Sequence, residues 1–186
     1  MLPLILLQTF AQVAPAPPPP ATPQPSTKIN EVRPGLFTTG LMTYETLGAL
    51  KAMGIGTVLH LRPEKEAPSL PATERKAVEL MGLHYIYSPV TAGLEDEEVD
   101  AFRKQMKGID LKGGLMVHCF NSNRASGALL AYFVLDEKLP MDRALDLAHK
   151  GGLNMVKIEN ASRFYISRNG GPAYEEQKEV KAAPLK

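Results

Sequence analysis

The sequence has little of what disulfide, metal or nucleic-acid chemistry requires. A single cysteine among 186 residues excludes an intramolecular disulfide and a four-thiolate zinc site. The four histidines, at positions 60, 84, 118 and 149, follow no metal-ligand spacing. Tryptophan is absent, and the net charge of +1 comes without a basic stripe of the kind that binds nucleic acid. We therefore expect no metal, no other cofactor and no nucleic-acid partner.

The chain also lacks an apolar run of about 20 residues, the length that a membrane span needs. The N-terminal run MLPLILLQTFA has the length of the apolar part of a signal peptide, although no Lys or Arg precedes it. We expect a signal peptide over 1–11 and export to the periplasm or the medium. A cytoplasmic location is the alternative if this run is not a signal.

Composition divides the remainder of the chain into three parts. A Pro- and Ala-rich linker is expected over 12–28, because such segments form extended spacers instead of packed elements. The folded domain is expected over 29–177, and a polar, flexible tail over 178–186. The length of this domain suits one ordinary globular unit. Nothing in the sequence indicates an oligomeric state.

Within that domain, short apolar runs alternate with helix-like segments. This alternation predicts an α/β fold with a mainly parallel central sheet of about four to five strands and helices on both faces. Strands are expected at 35–39, 56–61, 84–90 and 115–118, and helices at 44–53, 71–81, 95–106, 124–135, 142–149 and 154–167.

The segment LMVHCFNSNRASGALLAYFVL reads as a strand, a short polar loop and an apolar helix. Ligands bind at the carboxyl ends of parallel strands, and the start of the next helix offers free N–H groups to an anion. Cys119 is either an inert core residue or a nucleophile, and this position favours the nucleophile because a helix N-terminus stabilises a thiolate. Arg124 offers a planar fork that matches two phosphate oxygens. The residues expected to contact phosphate are Phe120, Asn121, Ser122, Asn123, Arg124 and Ser126.

Four segments, GLFTTG, TVLHLRPEKE, HYIYSPV and VHCFNSNRASG, resemble the Cys-based protein tyrosine phosphatase superfamily. The resemblance is closer to the bacterial tyrosine-phosphatase-like family related to the domain fused to metallo-β-lactamase-type hydrolases. It covers about residues 32–135 and implies a phosphatase-like fold. It also implies that Cys119 is the nucleophile, that Arg124 binds phosphate, and that water hydrolyses a phosphocysteine intermediate without a metal. The implied substrate is a phosphorylated protein, phosphotyrosine protein included, or a small phosphomonoester.

This sequence departs from the superfamily pattern at three places. Four residues instead of five separate Cys119 from Arg124, which shortens the phosphate cradle. The residue after the arginine is Ala125 instead of Ser or Thr, with Ser126 one position further on. The usual acidic residue of the loop after the third strand is missing. Glu95 or Asp96 could protonate the leaving oxygen instead, or could merely cap the helix that begins there.

Supporting roles are expected for two further residues. His118 should bond to backbone and hold the loop, and Arg62 either borders the site or pairs with Glu64. His60 is expected to be a satisfied core histidine.

Two rival functions remain open from the sequence. A rhodanese-like sulfurtransferase also has a short cysteine loop, but Arg124 leading into a helix and the LRPE segment count against it. A pseudophosphatase that binds phosphate without turnover is favoured by the missing acid.

Overall fold

A computed structural model of the protein describes residues 25–66 and 70–174, and at residues 70 and 71 it describes the backbone only. The expected signal peptide, most of the expected linker and the expected tail lie outside the described residues, as does the end of the expected domain at 175–177. No helix among the described residues has both the length and the apolar content to cross a membrane.

Among the described residues, five strands form one sheet in the order β1-β2-β5-β3-β4. β1 pairs antiparallel with β2, and all the other neighbours are parallel, which confirms the expected mainly parallel sheet. The strands are β1 (Asn30–Arg33), β2 (Leu36–Thr39), β3 (Thr57–His60), β4 (His84–Tyr87) and β5 (Leu115–His118). β1 is not among the strands expected from the sequence. Its segment NEVR buries only Val32, because an edge strand packs little of its surface against the core.

In the described part of the chain, six α-helices connect the strands or follow them. They are α1 (Tyr44–Leu50), α2 (Leu70–Leu80), α3 (Asp96–Lys107), α4 (Asn123–Leu135), α5 (Met141–Lys150) and α6 (Val156–Arg168). The expected strand 84–90 ends early, at Tyr87. Pro89 has no N–H for the ladder, although Ser88 and Val90 still donate to the carbonyls of His60 and Leu61.

The helices cover both faces of the sheet, as expected. Successive side chains of a strand point to opposite faces, and β5 shows this directly. Leu115 and Val117 join the core formed with α3, α4, α5 and α6, whereas Met116 joins the core formed with α1 and α2. Helix α4 is buried along almost its whole length, which explains why ALLAYFVL has no polar face.

The carboxyl ends of β2, β3 and β5 meet at one edge of the sheet, because these strands run parallel in register. Thr39, His60 and His118 are in register across them. The loops that follow these residues therefore gather at one place, and the Cys119 loop lies between the other two.

Candidate active site

The Cys119 loop reverses the chain between β5 and α4 in four residues. The N–H of Cys119 donates to the carbonyl of Thr39 at 3.3 Å, and Asn121 forms an isolated bridge with Gly40. Ser122 then takes a left-handed backbone with φ of 69° and precedes the first helical residue. The loop is thus bound to the end of β2 on one side and to α4 on the other.

Arg124 lies in the first turn of α4 and is 6% exposed. Its two Nη atoms donate to the two carboxylate oxygens of Glu66, both at 2.8 Å, and Nη1 also donates to the carbonyl of Val90 at 2.9 Å. Glu66 follows β3 and Val90 follows β4, so the arginine joins the loops of both strands to the Cys119 loop. The guanidinium fork is therefore held in one orientation at the sheet edge.

A cavity of about 190 Å³ opens beside this loop. Its lining comes from the Cys119 loop and α4, from the loops after β3 and β4, and from the start of α6: Phe120, Asn121, Asn123, Arg124, Glu66, Ala92, Met155 and Ile158. Four of the six residues expected to contact phosphate are therefore together in one wall. Cys119 itself is fully buried and does not line the cavity.

Asn123 anchors the loop to the start of α6. Its side-chain oxygen accepts from the backbone N–H groups of Asn154 and Met155, both at 2.8 Å, and its amide donates to the side chain of Asn154 at 3.0 Å. Asn121 adds a contact to the sulfur of Met155 at 3.8 Å. These bonds place a thioether and an amide side by side in the cavity wall.

Ser126 and Ser122, the other two residues expected to contact phosphate, form hydrogen bonds within the protein instead. The hydroxyl of Ser126 donates to the carbonyl of Gly151 at 2.7 Å, and the residue is fully buried. Ser122 is also buried, and its hydroxyl accepts a long bond from Asn30 at 3.4 Å. Neither residue lines the cavity.

The two acidic residues expected in the acid role lie at the start of α3. Glu95 is the exposed N-cap of α3, and Asp96 pairs at the surface with Arg168 at 2.6 Å. The loop is instead held by Glu98, whose carboxylate accepts from the N–H and the hydroxyl of Thr91 at 2.8 and 2.7 Å. Neither Glu95 nor Asp96 is among the residues that line the cavity.

Arg62 borders the site instead of pairing with Glu64. Its guanidinium lies 5.4 Å from the centre of the Phe120 ring, and its Nε is 3.9 Å from Glu66. The backbone N–H of Glu64 donates to the hydroxyl of Tyr87 at 3.0 Å. Arg62 thus supports the cavity wall through the aromatic ring of the Cys119 loop.

His118 differs from the expectation of a bond to backbone. Its Nε2 lies 2.6 Å from the carboxylate of Glu74, because the alternation along β5 directs His118 to the face that α2 covers. Burial alone would raise the pKa of Glu74, but hydrogen bonds from His118 and His60 outweigh it and lower that pKa to about 2. Burial lowers the pKa of His60.

Sequence reasoning missed Glu66 as a functional residue. It lies in the quoted segment TVLHLRPEKE, four residues after Arg62 and just beyond a predicted strand. A carboxylate just after the carboxyl end of β3 lies at the same sheet edge as Arg124. This position was the signal in the sequence that could have identified Glu66. The pairing itself depends on two loops that are 58 residues apart.

No protein-family model and no curated protein sequence matches the chain. Solved structures do match. One is described as a candidate phosphatase of the DUF442 group from Shewanella putrefaciens, with 26% identity and a TM-score of 0.61. The match covers 76% of this chain and 93% of that one.

Two further neighbours have lower identity and show likeness of fold alone. A candidate phosphatase from Neisseria meningitidis has 23% identity and a TM-score of 0.59, over 72% of this chain and 97% of its own. TpbA of P. aeruginosa, solved in complex with phosphotyrosine, has 16% identity and a TM-score of 0.58, over 78% and 90%. The fold is therefore that of the Cys-based, tyrosine-phosphatase-like phosphatases, and the resemblance drawn from the sequence is confirmed.

Proposed function

We propose that the protein is a metal-independent, cysteine-dependent phosphatase that hydrolyses phosphomonoesters, phosphotyrosine protein first among them. The observation that carries this proposal is the way Arg124 is held at the start of α4, five residues after Cys119. Glu66 and Val90 take both protons of Nη1 and one of Nη2. The Nε–H and the second Nη2–H form the other edge of the guanidinium. The hydrogen bonds to Glu66 and Val90 do not use this edge, which can therefore bind two phosphate oxygens.

The chemistry follows from these positions. The Cys119 thiolate attacks phosphorus, the S–P bond forms, and the bond from phosphorus to the leaving oxygen breaks. Arg124 and the N–H groups of the loop balance the charge on the transferring phosphoryl group. Water then attacks phosphorus, the S–P bond breaks, and the thiolate and inorganic phosphate are released. Because Cys119 is fully buried, the loop has to open slightly for phosphorus to reach the sulfur.

The lining of the cavity favours aryl over alkyl phosphates. Glu66 is the carboxylate that lines it among the described residues, and both of its oxygens accept from Arg124. A carboxylate engaged in this way has no proton to give, and Glu95 and Asp96 lie elsewhere. A phenolate leaves with less help from an acid than an alkoxide does. The fold neighbour TpbA, solved with phosphotyrosine, supports the same substrate class.

The test is steady-state hydrolysis of para-nitrophenyl phosphate by the purified protein with EDTA and reductant present. We expect turnover by the wild type, no turnover by Cys119→Ser, and at least a hundredfold lower kcat/KM for Arg124→Ala. Arg143→Ala removes an exposed arginine of α5 and is the matched control, which should keep wild-type activity. Phenyl phosphate esters should be hydrolysed faster than alkyl esters.

The rival functions give different outcomes in the same assay. A folded wild type that binds inorganic phosphate without turnover would be a pseudophosphatase, and the proposal would fail. Thiocyanate formed from thiosulfate and cyanide, lost in Cys119→Ser, would indicate the sulfurtransferase instead. Full activity of Arg124→Ala would contradict the role given to the guanidinium edge.

A further inference from the structure

A second cluster of reactive side chains lies on the opposite face of the sheet. His60 and His118 are directly opposite each other at the carboxyl ends of β3 and β5. Both side chains point to the face covered by α1 and α2, and Glu74 approaches them from α2. All three residues are buried, with exposures of 0%, 1% and 5%.

The facing atoms of the three side chains converge on one carboxylate oxygen. Glu74 Oε1 lies 2.6 Å from His118 Nε2 and 3.2 Å from His60 Nδ1, and the three atoms all lie within 4.8 Å of one another. Two imidazole nitrogens and one carboxylate oxygen are a donor set that binds zinc and related divalent ions.

His60 has two polar neighbours at its near nitrogen. Its Nδ1 lies 2.8 Å from the hydroxyl of Tyr85 and 3.2 Å from Glu74. An Nδ1–H can donate to Glu74 and to the Tyr85 oxygen, since a tyrosine hydroxyl also accepts. An ion bound between His60 and Glu74 takes the place of this proton.

The near nitrogens of both rings donate to Glu74, and these bonds set the tautomers. The far nitrogens, Nε2 of His60 and Nδ1 of His118, are buried and have no hydrogen-bond partner among the described residues. An ion bound by the near nitrogens therefore has to displace their protons.

The cluster also has an entry path. A cavity of about 370 Å³ opens between α1 and α2, and its lining includes Glu74 together with Thr43, Tyr44 and Thr73. Glu74 is the cluster residue that lines this cavity, so an ion that enters there meets the carboxylate before the histidines, and the cavity has room for a water molecule beside it. This cavity is separate from the one beside Arg124, since the two share no lining residue.

We propose that His60, Glu74 and His118 form a binding site for one divalent ion of the zinc class. Zinc lies about 2.0–2.2 Å from such ligands, and tetrahedral geometry then separates the ligand atoms by about 3.3 Å. The distance from His60 to Glu74 already agrees, and the shorter distance to His118 widens as the ion replaces the shared proton. The ion joins α2 to the ends of β3 and β5 and stabilises the fold. It takes no part in phosphoryl transfer.

The experiment compares zinc binding by the full chain after stripping with EDTA. Glu74→Gln and His60→Gln each remove one ligand. The control is the double variant His149→Gln with Glu159→Gln, which removes an exposed His–Glu pair with a spacing of 3.0 Å. After dialysis against Zn²⁺, we expect about one zinc per chain in the wild type and in the control, and at least tenfold weaker binding in either cluster variant. Zinc should raise the Tm of the wild type and of the control, and it should not raise the Tm of either cluster variant.

A spectrum of the wild type loaded with Co²⁺ covers the case in which the variants fail to fold. Nitrogen and oxygen ligands give visible bands of a tetrahedral ion without sulfur-to-cobalt charge transfer. A charge-transfer band would assign the ion to Cys119 and overturn the proposal. Less than a tenth of an equivalent of zinc in the wild type would overturn it too, as would loss of zinc from the His149 and Glu159 control. None of these readouts depends on phosphatase activity.

Discussion

At the scale of single residues, Ser122 determines how the Cys119 loop enters α4. Its left-handed backbone, with φ of 69°, costs an L-residue about 1 kcal/mol, a cost that glycine avoids. The residue is buried against Gly152, where an added Cβ would lie 3.0 Å from the Cβ of Ser122. The strained backbone of the loop therefore lies at Ser122, where the loop contacts the turn after α5.

Replacing Ser122 tests this strain. Ser122→Gly and Ser122→Ala both lose the hydroxyl, but only glycine relieves the left-handed conformation, so Ser122→Gly should be more stable by about 1 kcal/mol. Urea denaturation of both variants measures the difference. The same pair at Ser167, inside α6, should show the opposite order, because alanine favours a helix over glycine. Equal stability of the two Ser122 variants would contradict the argument.

At the scale of elements, ion pairs join α3 to the end of α4. Asp136 accepts from Arg103 at 2.6 and 3.1 Å and pairs with Lys107 at 2.7 Å. The side chain of Asp136 is only 6% exposed. Burial by itself raises the pKa of Asp136, but the hydrogen bonds from Arg103 and Lys107 outweigh burial and lower that pKa below its ordinary value. The carboxylate therefore stabilises the packing of α3 against α4 while it is ionised.

This ion pair predicts a pH dependence of stability. Because the pKa of Asp136 is lower in the folded state, its contribution is present above the ordinary pKa of about 3.9 and is lost as the pH falls through the folded value. Asp136→Asn should cost about 2 kcal/mol of unfolding free energy at pH 7, and this difference should shrink below about pH 4. Denaturation of both proteins from pH 7 to pH 3 measures it, with Asp146→Asn, an exposed site on α5, as control. A difference that grows on acidification would contradict the assignment.

At the scale of the whole molecule, the start of the described chain is part of the structure around the Cys119 loop. Ser26 lies in the segment expected to be linker. Its N–H donates to the carbonyl of Phe120 at 3.3 Å, and its carbonyl accepts from Leu41 at 2.7 Å. The chain passes so close to Gly40 that a Cβ there would lie 2.0 Å from the carbonyl oxygen of Ser26. Residue 40 therefore has to be glycine, and the linker ends in contact with the site.

Removing this contact has a measurable effect. A chain that begins at residue 30 lacks the acceptor for the N–H of Leu41, whereas a chain that begins at residue 25 keeps it. Amide hydrogen exchange at Leu41 should be at least tenfold faster in the shorter chain, because the backbone opens locally. The amide of Leu59, inside β3, should exchange equally slowly in both chains. Equal protection of Leu41 in the two chains would show that the segment contributes nothing.

The sequence predicted four of the five described strands, all six described α-helices and the Cys119–Arg124 junction, but it could not predict which partners the site residues take. β5 lies within the predicted bounds, because LMVH is uniformly apolar and a polar loop follows it. The edge strand β1 was missed because Val32 is the one buried residue of NEVR, which leaves the segment without an apolar pattern. Glu66 was missed because its role exists only when the loop after β3 lies against α4.

By itself, the sequence determined most of the local structure. Apolar periodicity specifies strands and helices, since each buries one face, and a cysteine followed by an arginine at a strand-to-helix junction predicts an anion site. Tertiary structure alone decided how the reactive groups are paired. It paired one edge of Arg124 with Glu66, left Glu95 and Asp96 out of the cavity lining, and brought Glu74 close to both His60 and His118. The physical reason is that such pairings depend on distances of a few ångströms between segments far apart in the chain, and only the packed sheet and helices set those distances.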